Sequence, residues 1–177
     1  MRSLLALLVL TPSSAAAEAP RYGFSPKVEI HAGNGDLFMG ELEIDAAWGE
    51  SALHAAIAVG SVMALPGVDG GRAYLLRAGG TRFGCATEIV CGGAGASVGI
   101  QRLRVDGYDE FGGPSGDDLV YYTEVEYSAF VDGRLILQLR LDDALALELA
   151  FASRLHDIVH DDLALELLGA AGFRYRF

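Results

Sequence analysis

The chain has 177 residues, 51% of them hydrophobic, and a formal charge of -11 from 24 acidic and 13 basic side chains. That charge excludes nucleic acid as a partner, because phosphate binding needs a basic face. No stretch reaches the ~20 apolar residues that a membrane-spanning helix requires.

Residues 1–19 read as a secretory signal: Met1 and Arg2, an apolar run from Leu4 to Leu10, then small and polar residues from Thr11 to Ala19. Cleavage is expected after Ala17 or Ala19. The remainder, 20–177, suits one domain. Nearly all of it alternates apolar and polar residues with period two, so an all-β chain is expected.

The first strand is expected over about 20–32, with Tyr22, Phe24, Val28, Ile30 and Ala32 on one face and Arg21, Lys27, Glu29 and His31 on the other. Gly33, Asn34 and Gly35 read as a tight turn. The second strand, about 36–48, sets Phe38, Leu42, Ile44, Ala46 and Trp48 against Glu41, Glu43 and Asp45. The third, about 52–65, has Leu53, Ala55, Ile57, Val59, Met63 and Leu65 on a bulky face and His54, Ala56, Ala58 and Gly60 on a small one. Pro66 to Gly70 closes it.

The fourth strand, near 71–83, alternates less cleanly. The fifth, near 93–105, changes phase between Ile100 and Leu103, which reads as a β-bulge. Between them Cys85 and Cys91, the only cysteines, are expected to form a disulfide in an exported protein. An acidic loop, 106–117, precedes a sixth strand in which Leu119, Tyr121, Val125 and Tyr127 oppose Tyr122, Glu124 and Glu126. Asp132 and Gly133 read as a hairpin turn. From Leu135 to Phe151 the odd positions are leucine or phenylalanine except at Asp143, so this segment is one long strand or two short ones turning at Asp142 and Asp143. One strand gives eight in total and two give nine. Eight is the expectation, with ten as the fallback, because single-chain bacterial barrels have even strand numbers.

The closing segment, 163–177, places Leu163, Leu165, Leu167, Phe173, Tyr175 and Phe177 on one parity with glycine and alanine between them. Here the chain resembles the bacterial outer-membrane β-barrel superfamily, in particular its small OmpA/OmpX-like members. Their last strand commonly ends in a terminal aromatic, with apolar residues at alternate positions and a glycine upstream, read by the barrel-assembly machinery. Gly172, Tyr175 and Phe177 match that pattern, which departs at Ala170, where a polar residue is usual. The resemblance implies an antiparallel up-and-down transmembrane barrel, embedded in outer-membrane lipid.

Alternation alone does not say which face points outward, since a soluble lipocalin-like barrel alternates with its greasy side in. The other face carries Glu41, Glu43, Asp45, Glu124, Glu126, Gln138, Arg140, Glu148, Glu166, Arg174 and Arg176. An arginine facing lipid at the bilayer midplane costs ~2–4 kcal/mol, so these residues are assigned to the lumen. Tyr22, Trp48, Tyr121, Tyr175 and Phe177 fall near strand ends, as interfacial girdles do. Asp143 on the lipid parity counts against this facing. Arg77 fits it only if Tyr74, Leu76 and Ala78 face lipid.

Chemistry is sparsely signalled. His156, Asp157, His160, Asp161 and Asp162 resemble a zinc motif that needs a helix and a glutamate, so His156, His160 and Asp161 are at most a loose surface metal site. Asp106, Asp109, Glu110, Asp117 and Asp118 are a candidate calcium loop without EF-hand spacing. No serine lies two residues from a histidine, as some barrel lipid hydrolases require, and His31 and His54 fall on the lumen parity. No cofactor is indicated. The expectation is therefore a filled barrel with an envelope structural or surface-interaction role, meeting ligands through loops 106–117 and 153–161. The alternatives are a soluble exported ligand-binding barrel and an outer-membrane lipid-modifying hydrolase.

Overall fold

The computed structural model describes residues 19–32, 37–62, 68–111, 118–156 and 164–177. Residues 1–18 of the signal segment and the Gly33 to Gly35 turn lie outside them. The described residues form a closed antiparallel barrel of eight strands in sequence order: β1 (Arg21–Ala32), β2 (Leu37–Trp48), β3 (Ser51–Val62), β4 (Val68–Cys85), β5 (Val90–Phe111), β6 (Asp118–Arg140), β7 (Leu145–His156) and β8 (Ala164–Arg176). Closure pairs β1 with β8 and leaves no exposed sheet edge around the wall.

Short turns at 49–50, 86–89 and 141–144 lie at the barrel end that also holds Arg21 and Arg176. Gly49, at φ 56°, supplies the left-handed backbone that the tightest of these turns needs. Asp142 shapes another by accepting from the amides of Ala144 and Leu145, both at 2.7 Å. Cys85 and Cys91 face each other across the β4–β5 ladder and are joined by a disulfide.

The barrel is apolar outside and polar inside. Along β2, for example, Phe38, Leu42, Ile44 and Trp48 are exposed, whereas Met39, Glu41, Glu43 and Asp45 are buried. The greasy faces of the other strands likewise point outward, with Ile57, Leu76, Ile100, Leu135, Phe151 and Leu167 all exposed. A soluble ligand-binding barrel needs the opposite facing, so that alternative is overturned. In lipid, this surface is where apolar side chains belong.

One seam tests the closure. Pro26 has no N–H to give the ladder, and pairing between β1 and β8 lapses between Phe24↔Tyr175 and Lys27↔Gly172 without a change of register. The Ser25 hydroxyl donates to the Phe173 carbonyl at 2.8 Å across this gap.

Four sequence expectations are corrected. The loops expected over 106–117 and 153–161 begin in strand, because β5 continues to Phe111 and β7 to His156. Asp132 and Gly133 are not a hairpin; they continue β6, because Asp132 points into the lumen and finds arginines there. The segment 135–151 is not one strand but breaks at residues 141–144, which moves Asp143 off the lipid-facing wall. The two changes offset each other and the count stays at eight. No bulge interrupts β5 between Ile100 and Leu103, where pairing to both neighbours is continuous. Arg102 and Arg104 face outward there and Leu103 packs inward. The register shift falls instead between Val68 and Gly70, where Gly70 has φ 150°.

Candidate functional site

Strand alternation sends every second residue inward, and the lumen is filled with what arrives. Glu29, Glu41, Glu43, Asp45, Asp132 and Glu148 meet Lys27, Arg77, Arg134, Arg154 and Arg174, all of them buried. Buried charge of one sign is untenable, so partners must be close. Register supplies some of them: Lys27 lies opposite Glu41, Asp132 opposite Arg154, and Gln138 opposite Glu148, to which its side chain donates at 2.8 Å.

Other pairs cross the lumen. Arg134 on β6 donates to Glu43 on β2 at 2.9 Å, a contact between strands on opposite sides of the barrel. Glu43 also receives Lys27 at 2.9 Å and Arg174 at 2.5 Å. Lys27 reaches Glu148 at 2.7 Å, and Arg174 reaches Glu148 at 3.1 Å and Asp45 at 3.4 Å. Above this layer Arg77 joins Glu29 at 2.8 Å, Glu41, and Asp132 at 3.6 Å. Asp132 also accepts from the Ser97 hydroxyl, and Arg154 lies 4.1 Å from the Phe130 ring centroid. Leu37, Met39, Ala58, Ala73, Leu75 and Phe130 form an apolar plug nearer the far end, with Val62 and Leu103 against it. Gly99 makes room for Phe130, whose ring a Cβ there would strike.

Beside the plug lies a second cluster. His31 Nδ1 is 2.9 Å from Glu166 Oε1, and His156 Nε2 is 2.6 Å from Glu166 Oε2. His156 Nδ1 is 3.5 Å from the Ser128 hydroxyl. A serine, a histidine and a carboxylate thus align from β6, β7 and β8, although no serine neighbours a histidine in sequence. At the opposite end a cavity of about 440 Å³ is lined by Arg21, Arg140, Arg174 and Arg176 together with Glu88 and Asp142.

The predicted site residues separate by position. Glu41, Glu43, Asp45, Gln138, Glu148 and Arg174 lie in the lumen, and Glu166 is half-buried at its mouth. Arg140 is exposed and Arg176 half-buried at the end with the short turns. Glu124 and Glu126 are not in the lumen. They are exposed, because β6 pairs with β7 only from Phe130 onward and its first half projects with β5 beyond the wall. Beyond the wall, Asp106 accepts from the Thr123 hydroxyl at 2.7 Å and from Arg104 at 3.1 Å, and the Thr123 hydrogen bond, helped by Arg104, holds its carboxyl below the usual aspartate range. His54 and His31 are buried in the lumen, His54 Nε2 lying 3.3 Å from Arg134. His160, Asp161 and Asp117 lie outside the described residues, as do the side chains of Asp109, Glu110 and Asp118.

Arg134 and Arg154 went unrecognised in sequence. Both sit on the even parity of Gln138 and Glu148, so the signal was present, but a turn read at Gly133 and a loop read from 153 removed them from the strands. Gly172, Tyr175 and Phe177 occupy the β8 end, Gly172 facing inward and both aromatics exposed. A Cβ at Gly172 would strike the Pro26 carbonyl and the Lys27 backbone, so packing alone demands glycine there.

No protein-family model and no curated protein sequence matches the chain. Solved structures do. Neisserial surface protein A superposes with a TM-score of 0.66 at 12% identity, over 92% of this chain and all of that one. A major outer membrane protein from Thermus thermophilus gives 0.62 at 12% identity, over 90% of this chain and 100% of that one. Ail, the attachment invasion locus protein of Yersinia pestis, gives 0.56 at 12% identity, over 91% and 99%. At such identities the likeness is one of fold: this chain has the eight-stranded transmembrane barrel fold of small outer-membrane β-barrel proteins.

Proposed function

We propose that the protein is a bacterial outer-membrane barrel with a closed lumen, serving as an envelope structural or surface-interaction protein and not as a solute channel. The observation that carries this is the ion-pair layer between Glu43 and Arg134, braced by Lys27 and Arg174, which crosses the lumen from side to side. Residues 1–19 direct export, and Gly172, Tyr175 and Phe177 engage the barrel-assembly machinery. The barrel end opposite the short turns, where β5 and β6 project beyond the wall, faces outside the cell and meets any surface ligand through residues 106–117 and 153–161. Purified protein in planar bilayers is expected to give no stable conductance. A reproducible open channel overturns the reading.

A second reading, a lipid-modifying hydrolase, is favoured by the line Ser128, His156, Glu166. His156 would take the Ser128 proton at Nδ1 while Glu166 holds Nε2, the division of labour of a catalytic triad. It requires that the purified barrel release fatty acid from lipid and that Ser128→Ala and His156→Ala each abolish the release. A parent protein that releases none discards it.

A further inference from the structure

The outward face of β4 acts as a ruler. Arg72, Tyr74, Leu76, Ala78, Gly80 and Arg82 share the outward parity, so the two arginines bound an uncharged band. From Arg72 to Arg82 the strand climbs roughly 25 Å along the barrel axis, at about 3.3 Å per residue and about 40° of tilt, which matches the apolar band of a transmembrane barrel. Arg82 pairs with Glu50 at 3.3 Å at the end with the short turns. Arg72 marks the other edge, where polar lipid head groups lie.

Two more arginines stand at that edge. Arg104 is directly opposite Arg72 in the β4–β5 ladder. Arg102 is held between aromatic rings, 5.6 Å from the Tyr74 centroid and 5.9 Å from that of Tyr127, and its Nε donates to the Tyr127 hydroxyl at 3.2 Å. Like charges directly across a ladder destabilise it, and Asp106, 3.1 Å from Arg104, supplies one negative charge against three positive. A chain with net charge -11 has thus gathered arginines on one outward patch. Glu124 and Glu126 are on the inward parity of the same projecting ribbon, so its charges are sorted by face. An anion bridging Arg72 and Arg104 would remove the repulsion, and guanidinium groups bind phosphate oxygens bidentately.

We propose that Arg72, Arg102 and Arg104, framed by Tyr74 and Tyr127, bind the phosphate of a phosphorylated lipid head group in the facing leaflet. The lipid is favoured over a soluble anion because Leu76, Val98 and Ile100 continue the same outward face into the apolar band, where acyl chains of the bound molecule would lie. The proposal rests on the membrane-spanning reading above.

The refolded full barrel in phosphatidylcholine nanodiscs is titrated with diphosphorylated lipid A and with its dephosphorylated form. Binding is read by native mass spectrometry. The phosphorylated form is expected to bind about tenfold more tightly, the scale of a charge-assisted hydrogen bond. Arg72→Gln/Arg102→Gln/Arg104→Gln should abolish that preference, and Arg82→Gln at the opposite edge should retain it. Single Arg72→Gln, which relieves a like-charge pair, should fold normally and lose part of the preference. Equal binding of the two lipids, a triple variant that discriminates like the parent, or full displacement by inorganic phosphate at matched concentration overturns the proposal. A heat-shifted gel band shows separately whether the barrel formed, so failure of the membrane reading is distinguishable from failure of this one.

Discussion

Glu43 is where Lys27, Arg134 and Arg174 converge, and it is buried. Removing it leaves several cations without their nearest counter-charge, and breaking a buried pair costs about 3–5 kcal/mol. Glu43→Ala is accordingly expected to lower stability by that amount in urea titrations of the micelle-bound barrel; a loss below about 1 kcal/mol, the scale of surface pairs, would mean that the layer is hydrated. Gly172 poses a different question, because it belongs both to the closing motif and to the space under Lys27. Overpacking costs about 1–3 kcal/mol, so Gly172→Ala should destabilise the purified barrel with no assembly machinery present. Unchanged stability in vitro with poor assembly in cells would make the glycine a recognition signal only.

At the scale of single elements, β2 decides which solvent the wall meets. Leu42 lies near its middle and points outward. In lipid, Leu42→Arg should cost about 2–4 kcal/mol, whereas the same change on a water-facing wall is close to neutral. Unfolding in vesicles measures the difference directly. The β4–β5 turn is closed by Cys85 and Cys91, six residues apart. Loop-closure entropy for so short a ring predicts a loss of about 2 kcal/mol in Cys85→Ser/Cys91→Ser, read from the urea midpoint. β6 illustrates the limit of turn chemistry: Asp132 and Gly133 carry a strong hairpin signature, yet lumen arginines hold Asp132 in a strand and the chain turns at Asp142 instead.

For the whole molecule, closure and filling go together. Eight strands leave an interior just wide enough for side chains, and here ion pairs occupy it beside an apolar plug. The folded protein is expected to migrate differently unboiled and boiled on a denaturing gel and to be found in the outer-membrane fraction. An unshifted band in the soluble fraction would contradict both the wall and the lumen as described.

Period-two alternation by itself determined the all-β class, the strands up to Trp48 to within a residue or so, and that Lys27 shares a face with Glu29, and Glu41 with Glu43 and Asp45, because side-chain direction in a strand depends only on parity; the cost of charge in lipid then turned those faces inward. Tertiary structure decided the rest. Whether Asp132 turns or continues depends on Arg77 and Arg154, strands away in sequence, and whether Glu124 lies in the lumen depends on where β7 stops pairing with β6. The alignment of Ser128, His156 and Glu166, and the pairing of Arg72 with Arg104, are matters of inter-strand register, which no local pattern encodes.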